Sequence, residues 1–336
     1  MEVMLAGEVT RAFRVDETSQ VGQARREAAV LAQALGFDEA ACGRVALVAT
    51  ELATNMVKHG RGGVLQLSTV ATAQGMGVEI CAIDGGPGFA LVDGLRDGYS
   101  TAGTPGTGLG AIQRQAQVLD AYSDAKGAVV MARLFAQQRA ELDLPYGAIR
   151  LPLHNETVCG DAWHLAIGEQ RATVTVIDGL GHGPGAAEAA DAGARAAAAA
   201  RGEPGERIAQ LHAGMSGTRG GAAAVMQFDS STGRVRFAGV GNIVASLCDG
   251  DGVRGMPSHP GIVGVQFRKA QPFDFADAAG KLLVMHSDGL QSRWNLRDHP
   301  GLLSRHPRLI AAVLLRDYTR GRDDCGVFVM RLGGLQ

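Results

Sequence analysis

A glycine-rich stretch from Asp97 to Gly110, DGYSTAGTPGTGLG, is the feature that most constrains how the first part of the chain folds. Five glycines, one proline and four serine or threonine residues occur in its fourteen positions. Such a composition is typical of a flexible linker or of a loop that closes over phosphate. The motifs that precede the stretch decide between these two interpretations.

Two polar motifs precede the stretch, each at a predicted helix or strand. The segment GRVALVATELATNMVKHG predicts a helix, and its apolar face consists of Val45, Val48, Ala49, Leu52 and Met56. Glu51 and Asn55, one helical turn apart, lie on a separate polar stripe. Taken alone, this stripe is as well explained by a solvated helix face. Two alternating runs, VLQLSTVAT and MGVEICAID, then predict a strand hairpin that ends on Asp84 and leads into DGGPGF.

In this order, the three motifs resemble the N, G1 and G2 boxes of the GHKL ATP-binding fold, over about the first 137 residues. The resemblance implies that Asn55 is an oxygen ligand of Mg²⁺ and that Asp84 accepts a hydrogen bond from the adenine amino group. It also implies that five glycines approach the base or turn their amides toward the phosphates. These glycines are Gly86, Gly88, Gly106, Gly108 and Gly110. The glycine-rich stretch is therefore interpreted as a phosphate lid.

Within this fold, ELATNMVKHG, DGGPGF and DGYSTAGTPGTGLGAIQRQA are similar to the serine switch kinase of the bacterial stressosome, a relative of the anti-sigma-factor kinases. No phospho-accepting histidine helix or receiver domain accompanies the motifs, which argues against a histidine kinase. The resemblance implies that Glu51 is the base that takes the proton from a substrate serine hydroxyl. One departure is GAVV at Gly127 to Val130, where many relatives have Gly-Thr-Thr and thus a hydroxyl contact to the nucleotide.

Aspartates at the ends of apolar strands characterise the second part of the chain. They are Asp161 in CGDAW, Asp178 in VIDGLGHGPGA, Asp288 in HSDGL, and Asp323 with Asp324 in RDDCGVFV. A single Asp-Gly indicates a turn, but four such strand ends indicate a site for a hard cation such as Mg²⁺ or Mn²⁺. A pair of these ions can activate water for attack on a phosphate ester. His182 and His286 neighbour the motifs and are interpreted equally as structural residues or as ligands.

The motifs GTRGGAAAV, AGVGNI, HSDGLQSRW and RDDCGVFV resemble PPM phosphatases of the SpoIIE type, above all the small phosphatase that resets the stressosome. The metal ligands that the resemblance implies are Asp161, Asp178, the carbonyl of Gly179, Asp288 and Asp323. Asp178 is expected to bridge two metals, and Asp161 to hold metal directly or through water. Asp323 is preferred because the family uses the first member of this pair, with Asp324 as the alternative.

The length of 336 residues predicts two domains. The segment QQRAELDLPYG interrupts the apolar pattern, so we expect an ATP-binding domain at 1–137, a linker at 138–146 and a phosphatase domain at 147–336. The predicted fold class is α/β (α+β), with a GHKL (Bergerat) sandwich followed by a PPM-type α-β-β-α sandwich. Two sheets packed face to face would bring the strand-end aspartates together.

Charge and cysteine content restrict the partners and the compartment. The net charge is −2 and the basic residues are not clustered, which argues against binding to nucleic acid or an anionic membrane. The five cysteines form no C-x-x-C pair, which favours reduced thiols and the cytoplasm. No apolar run has the length of a membrane span.

The sequence therefore predicts a bifunctional partner-switching regulator. Its first domain would use Mg²⁺ and ATP to phosphorylate serine or threonine on a STAS-domain protein. Its second domain would use two Mn²⁺ or Mg²⁺ ions to dephosphorylate the same or a related partner. In a second interpretation the first domain binds nucleotide without transfer and grips a sigma factor or activates a downstream phosphatase. In a third, its nucleotide site is degenerate and binds no ATP.

Overall fold

A computed structural model describes residues 3–72, 75–89, 108–137, 143–154, 156–266, 268 and 270–333 of the chain. The helices are α1 (Thr18–Ala34), α2 (Glu39–His59), α3 (Gly108–Gln115), α4 (Pro184–Ala199), α5 (Pro204–Gly214) and α6 (Pro307–Tyr318). The strands are β1 (Val3–Ala6), β2 (Arg11–Arg14), β3 (Gly63–Thr72), β4 (Gly75–Asp84), β5 (Val118–Asp124), β6 (Gly127–Phe135), β7 (Tyr146–Leu151), β8 (Asp161–Ile167), β9 (Arg171–Gly179), β10 (Gly221–Asp229), β11 (Arg234–Val240), β12 (Val244–Cys248), β13 (Val253–Met256), β14 (Phe273–Phe275), β15 (Leu282–His286) and β16 (Cys325–Arg331).

The chain divides into two compact units. The first unit comprises Thr10–Leu144 and Ser304–Val313, and the second comprises Met1–Val9, Pro145–Leu303 and Leu314–Gln336. Both units are discontinuous in sequence, and the contiguous limits proposed from the sequence stay a prediction. The mixed α and β class is confirmed, with antiparallel sheets in both units. No helix in the described part of the chain has the length and apolarity needed to cross a membrane.

The first unit contains one antiparallel sheet with the strand order β2-β3-β4-β6-β5. Helix α2 begins after Asp38, whose carboxylate accepts a hydrogen bond from the Ala41 amide at 2.7 Å, a regular N-cap. The apolar face predicted for α2 is buried and packs with α1 and with inward-facing residues of β3, β4 and β6. The hairpin predicted from the alternating runs is confirmed, since β3 pairs with β4 over its full length and β4 ends on Asp84.

A buried ionic network lies on the other face of this sheet. Alternation along the strands turns Gln66, Glu79 and Arg133 away from the core that α1 and α2 cover. The Glu79 carboxylate accepts hydrogen bonds from Arg133 Nε at 2.8 Å and from Arg308 Nε at 2.5 Å. Although burial raises the pKa of Glu79, the charges of Arg308 and Arg133 hold it below its usual value. The pattern of apolar strands gave no indication of this network.

Replacing Glu79 by alanine is expected to destabilise the first unit by about 3–5 kcal/mol, because two buried guanidinium groups lose their shared carboxylate. Urea unfolding followed by circular dichroism measures the change. The matched control is Ser68→Ala, which removes one hydroxyl that donates to Glu79 at 3.0 Å and should cost about 0.5–1.5 kcal/mol. Equal shifts in the two variants would contradict the assignment of Glu79 as the centre of the network.

The second unit contains two antiparallel sheets, with the orders β1-β8-β9-β10-β11-β14 and β13-β12-β15-β16-β7. Tyr146, Trp163 and Phe328 connect them through ring contacts, with centroids 5.4 to 6.0 Å apart. The alanine-rich segment AAEAADAGARAAAA lies in α4, and its small side chains pack against β9 and β10. A methyl group added at Gly193 would lie 3.0 Å from Ile177 Cδ1, so the helix backbone closely approaches the sheet.

Candidate functional site

The predicted nucleotide residues of the first unit lie where α2 and β4 end. Glu51 and Asn55 are both half-buried and occupy one side of α2, a single turn apart. The helix ends at His59, and a methyl group added at the next residue, Gly60, would lie 2.6 Å from Asp84 Cβ. The last turns of α2 are therefore packed directly against the strand end that carries Asp84.

Asp84 has a defined orientation. Its Oδ1 atom accepts hydrogen bonds from the backbone amides of Gly86 at 2.9 Å and of Ala128 at 3.2 Å. Ala128 belongs to the GAVV segment, in which the sequence departs from many relatives. The backbone amide of this segment therefore helps to hold the carboxylate at the junction of β4 and β6.

Two of the glycines after Asp84, Gly86 and Gly88, have no room for a side chain. A methyl group added at Gly86 would lie 2.7 Å from the His59 carbonyl oxygen, and one at Gly88 would lie 2.5 Å from Ser123 Oγ. Gly88 also has a φ of 72°, a conformation that favours glycine. Ser123 in turn accepts a hydrogen bond from the Phe89 amide at 2.8 Å.

The glycines of the predicted phosphate lid are only partly described. Gly108 and Gly110 lie in the first turn of α3, and Ile112 of the same helix packs into the core that α2 shares. Gly106 lies outside the described residues, as does the rest of the segment 90–107. The described residues thus bring α2, Asp84 and the start of α3 into one packed region, and their nucleotide roles stay a prediction.

Four strand ends meet in the second unit. Asp161 begins β8 and is directly paired with Asp178 near the end of β9. In the other sheet, Asp288 follows β15 and Asp323 precedes β16, and these two strands are paired. The Ser287 hydroxyl joins the sheets by donating to Asp161 Oδ2 at 2.6 Å. All the aspartates that the sequence predicted as metal ligands therefore converge in the fold.

Burial and the charges of neighbouring carboxylates raise the pKa values of the aspartates in this cluster. Burial, followed by the charges of Asp161, Asp288 and Asp323, raises the pKa of Asp178 to about 9. Burial also raises the pKa of Asp161 to about 7, with further contributions from Asp324 and Asp323. Ionised together, these groups repel one another. An all-oxygen donor set with this excess of negative charge fits a hard divalent cation.

The two adjacent aspartates before β16 have different surroundings. Asp324 is buried, and its two carboxylate oxygens accept hydrogen bonds from the amides of Leu153 and Gly160, both at 2.6 Å. Asp323 is half-buried, and burial with the charges of Asp288 and Asp324 raises its pKa. Both Asp324 oxygens are thus engaged by backbone amides, and Asp323 as the metal ligand stays a prediction.

The two histidines near the cluster also differ. His286 is buried, its Nδ1 faces the Ser287 carbonyl oxygen at 2.8 Å, and its Nε2 accepts a hydrogen bond from Trp294 Nε1 at 3.0 Å. Both ring nitrogens are therefore occupied, and burial lowers the pKa of His286 to about 4. His182 is half-exposed, and its Nδ1 lies 2.8 Å from Glu156 Oε1. That hydrogen bond raises the pKa of His182.

Sequence reasoning missed two polar neighbours of the predicted ligands. Ser287 holds Asp161, and Asn242 Nδ2 donates to Asp288 Oδ2 at 2.8 Å. Both lie inside motifs that the sequence had already marked, HSDGL and AGVGNI. For Ser287 the available signal was its position next to Asp288, because ligating carboxylates are commonly hydrogen-bonded by their surroundings. Asn242 is distant in sequence from every predicted ligand, so its role required the fold.

Two family models match separate parts of the chain. Residues 14–134 match the family model of the histidine kinase-like ATPase domain, and residues 168–332 match that of stage II sporulation protein E, SpoIIE. A comparison with curated proteins gave no match.

Several solved structures are similar to the chain. One from the bacterial stressosome is 28% identical with a TM-score of 0.51, over 55% of this chain and 98% of its own. RsbX in complex with magnesium is 21% identical with a TM-score of 0.48, over 55% and 94%. The PP2C phosphatase domain of SpoIIE from Bacillus subtilis, with a fragment of its regulatory domain, is 18% identical with a TM-score of 0.49, over 94% and 98%.

Proposed function

The chain joins a histidine kinase-like ATPase domain to a SpoIIE domain of the PPM phosphatase fold, and from this premise we propose that it is a bifunctional regulator of a STAS-domain partner. The second unit hydrolyses phosphoserine or phosphothreonine on that partner, and the first unit phosphorylates it from ATP. The similarity to a structure from the bacterial stressosome supports a partner-switching context. The five free cysteines support a reducing compartment, the cytoplasm.

The convergence of aspartates from four strand ends is the observation that carries the phosphatase proposal. Asp178, Asp288 and Asp323 belong to distant segments of the chain, so a turn motif does not explain their meeting. When bound, two Mn²⁺ or Mg²⁺ ions would supply an activated water and neutralise the phosphate ester. In this proposal Asp178 would serve both ions, the Gly179 carbonyl would bind one of them, and Asp288 and Asp323 would bind the other. Asp161 contributes directly or through water.

The kinase proposal rests on the side of α2 that carries Glu51 and Asn55. The side-chain oxygen of Asn55 would bind a Mg²⁺ ion that the nucleotide phosphates also bind. Asp84 would accept a hydrogen bond from the adenine amino group. Glu51 lies one turn before Asn55, where it would take the proton of the attacking serine hydroxyl. The packing of α2 against Asp84 and α3 supports the assignment of all three residues to one site.

Two assays on the full chain test the proposed function. Hydrolysis of phosphoserine peptides in Mn²⁺ or Mg²⁺, and its loss after exhaustive chelation, tests the second unit. Transfer of radiolabel from ATP to a panel of STAS-domain proteins tests the first unit. If the chain binds ATP but transfers no label, the first unit is a nucleotide-dependent binding module. If it binds no ATP, the nucleotide site is degenerate.

Asp84→Asn is expected to weaken ATP binding by about 10-fold or more, since a hydrogen bond to a charged acceptor contributes about 1.5–3 kcal/mol. The substitution is nearly isosteric, and the remaining oxygen can still accept the Gly86 amide. Calorimetric titration with Mg²⁺ and ATP measures the affinity, and the melting temperature checks the fold. An unchanged affinity in a folded variant contradicts the adenine assignment.

A further inference from the structure

Arg219 lies beside the turn that follows Asp178 and is not among the proposed metal ligands. It precedes β10, whose first residue, Gly221, is paired with Gly179. The pairing continues outward, because the Leu180 amide donates to the Gly220 carbonyl oxygen at 2.9 Å. Strand register therefore positions Arg219 next to the turn that leads from the predicted metal ligands into α4.

The guanidinium group lies against this turn. A methyl group added at Gly185 would lie 2.5 Å from Arg219 Nε and 2.7 Å from its Cζ, and one at Gly181 would lie 3.8 Å from Nη1. Gly181 and Gly185 lie on either side of His182 and the start of α4. The charged end of Arg219 is thus held over the chain between Asp178 and the helix.

The Arg219 side chain is exposed. Among the residues that the structure describes, its guanidinium makes no hydrogen bond or ion pair, although four carboxylates cluster on the neighbouring strand ends. By contrast, Arg150 and Arg236 of the same unit both form salt bridges. A guanidinium beside an acidic cluster, but bound to none of its members, remains available to an anionic ligand.

The surroundings indicate which anion it accepts. A phosphate monoester carries two negative charges and oxygens that match the donors of a guanidinium. Two apolar side chains on the same rim, Leu180 and Val265, are 53% and 59% exposed. Val265 lies close to the backbone beside Arg219, since a methyl group added at Gly220 would be 2.9 Å from its Cγ2. A cation flanked by apolar side chains suits a phosphorylated polypeptide.

We infer that Arg219 binds the phosphoryl group of the phosphoserine or phosphothreonine substrate in the second unit. The inference rests on the proposed phosphatase function and adds the residue that recognises the phosphate. Arg219 contributes charge and two donors to the phosphoryl oxygens, from a position beside the turn that follows Asp178 and Gly179. Leu180 and Val265 contact the polypeptide on either side of the modified residue.

The test measures kcat and KM of the full chain in Mn²⁺ for p-nitrophenyl phosphate and a phosphoserine peptide, and the binding of inorganic phosphate by calorimetry. Arg219→Gln is expected to lower kcat/KM for both substrates, and to weaken phosphate binding, by about 10- to 100-fold, the range for hydrogen bonds to charged groups. Arg219→Lys should recover part of the loss, because lysine keeps the positive charge but lacks the paired N–H donors of the guanidinium group. The increase in melting temperature caused by Mn²⁺ should stay unchanged.

Two further variants separate this role from a general structural effect. Arg195→Gln removes another exposed arginine, on α4 about 15 Å along the helix from Gly185, and should leave every measurement unchanged. Gly185→Ala should displace the Arg219 guanidinium and weaken phosphate binding in the parent chain. In the Arg219→Gln background, Gly185→Ala should add little, because both changes remove one interaction.

Unchanged phosphate binding and unchanged kcat/KM in folded Arg219→Gln would overturn the inference. A loss confined to the phosphopeptide would also overturn it, because it would assign Arg219 to the polypeptide instead of the phosphoryl group. A parent chain that hydrolyses neither substrate contradicts the proposed phosphatase function. The calorimetric comparison with inorganic phosphate then still decides whether Arg219 binds the anion.

Discussion

Asp178→Asn is expected to lower metal-dependent hydrolysis of phosphoserine peptides by about 10³-fold or more, the scale seen when one member of a cooperating catalytic set is removed. In the proposed site its oxygens serve both ions, so neither ion keeps a complete set of ligands. The stabilisation of the second unit by Mn²⁺ should disappear in the same variant. Steady-state hydrolysis and the melting temperature with and without Mn²⁺ measure the two effects.

The same variant should be more stable than the parent chain when metal is removed. In the fold, the pKa of Asp178 is raised to about 9 from an ordinary value near 3.8. The unfolded chain therefore loses this proton at a lower pH than the folded chain does. The resulting destabilisation of the parent grows as the pH rises from about 4 to about 9, whereas asparagine has no proton to lose. In chelator, the difference in melting temperature should widen over that range.

Asp323 and Asp324 provide the matched controls. Asp323→Asn should weaken Mn²⁺ binding and leave the metal-free melting temperature nearly unchanged. Asp324→Asn should lower the melting temperature, because its new amide faces the backbone amides of Leu153 or Gly160. Its loss of Mn²⁺ affinity should be smaller. The two-metal proposal has to be abandoned if Asp178→Asn retains metal-dependent hydrolysis or if the activity survives exhaustive chelation.

The strand-end aspartates could be predicted because each stands beside an apolar strand, and Asp178 and Asp288 also precede glycine, which local sequence displays directly. The residues that hydrogen-bond to these aspartates could be identified only from the folded structure. The bond from Ser287 to Asp161 joins strands of different sheets, and sequence pattern does not specify which strands pair. The structural role of Asp324 likewise depends on amides from segments more than 160 residues away.

In the first unit, too, local elements could be predicted from the sequence, but contacts between distant segments could not. The helix that carries Glu51 and Asn55 and the hairpin that ends on Asp84 follow from hydrophobic periodicity. Glu79 and Arg133 lie in strands that read as apolar, and their partner Arg308 is distant in sequence. The pairing of β1 with β8 is also non-local. Periodicity describes which face of an element is buried, but not the partner that buries it.

Glu51→Gln is expected to retain ATP binding and to lower phosphorylation of the STAS-domain protein by about 10² to 10⁴-fold, the usual contribution of a general base. Glutamine keeps the shape of the side chain on α2 but accepts no proton from the serine hydroxyl. Single-turnover transfer of radiolabel measures the rate, and calorimetry measures the affinity for Mg²⁺ and ATP.

Glu39→Gln is the control for this variant, because it makes the same substitution on α2 at an exposed position about 18 Å away along the helix. Its transfer rate should equal that of the parent chain. Parent-like transfer by Glu51→Gln would make Glu51 a surface residue without a role as base. A parent chain that binds ATP and transfers no phosphate to any STAS-domain protein would instead favour the nucleotide-dependent binding module. Because Asn55 and Asp84 would bind nucleotide in either case, the transfer assay, and not ATP affinity, distinguishes a kinase from such a module.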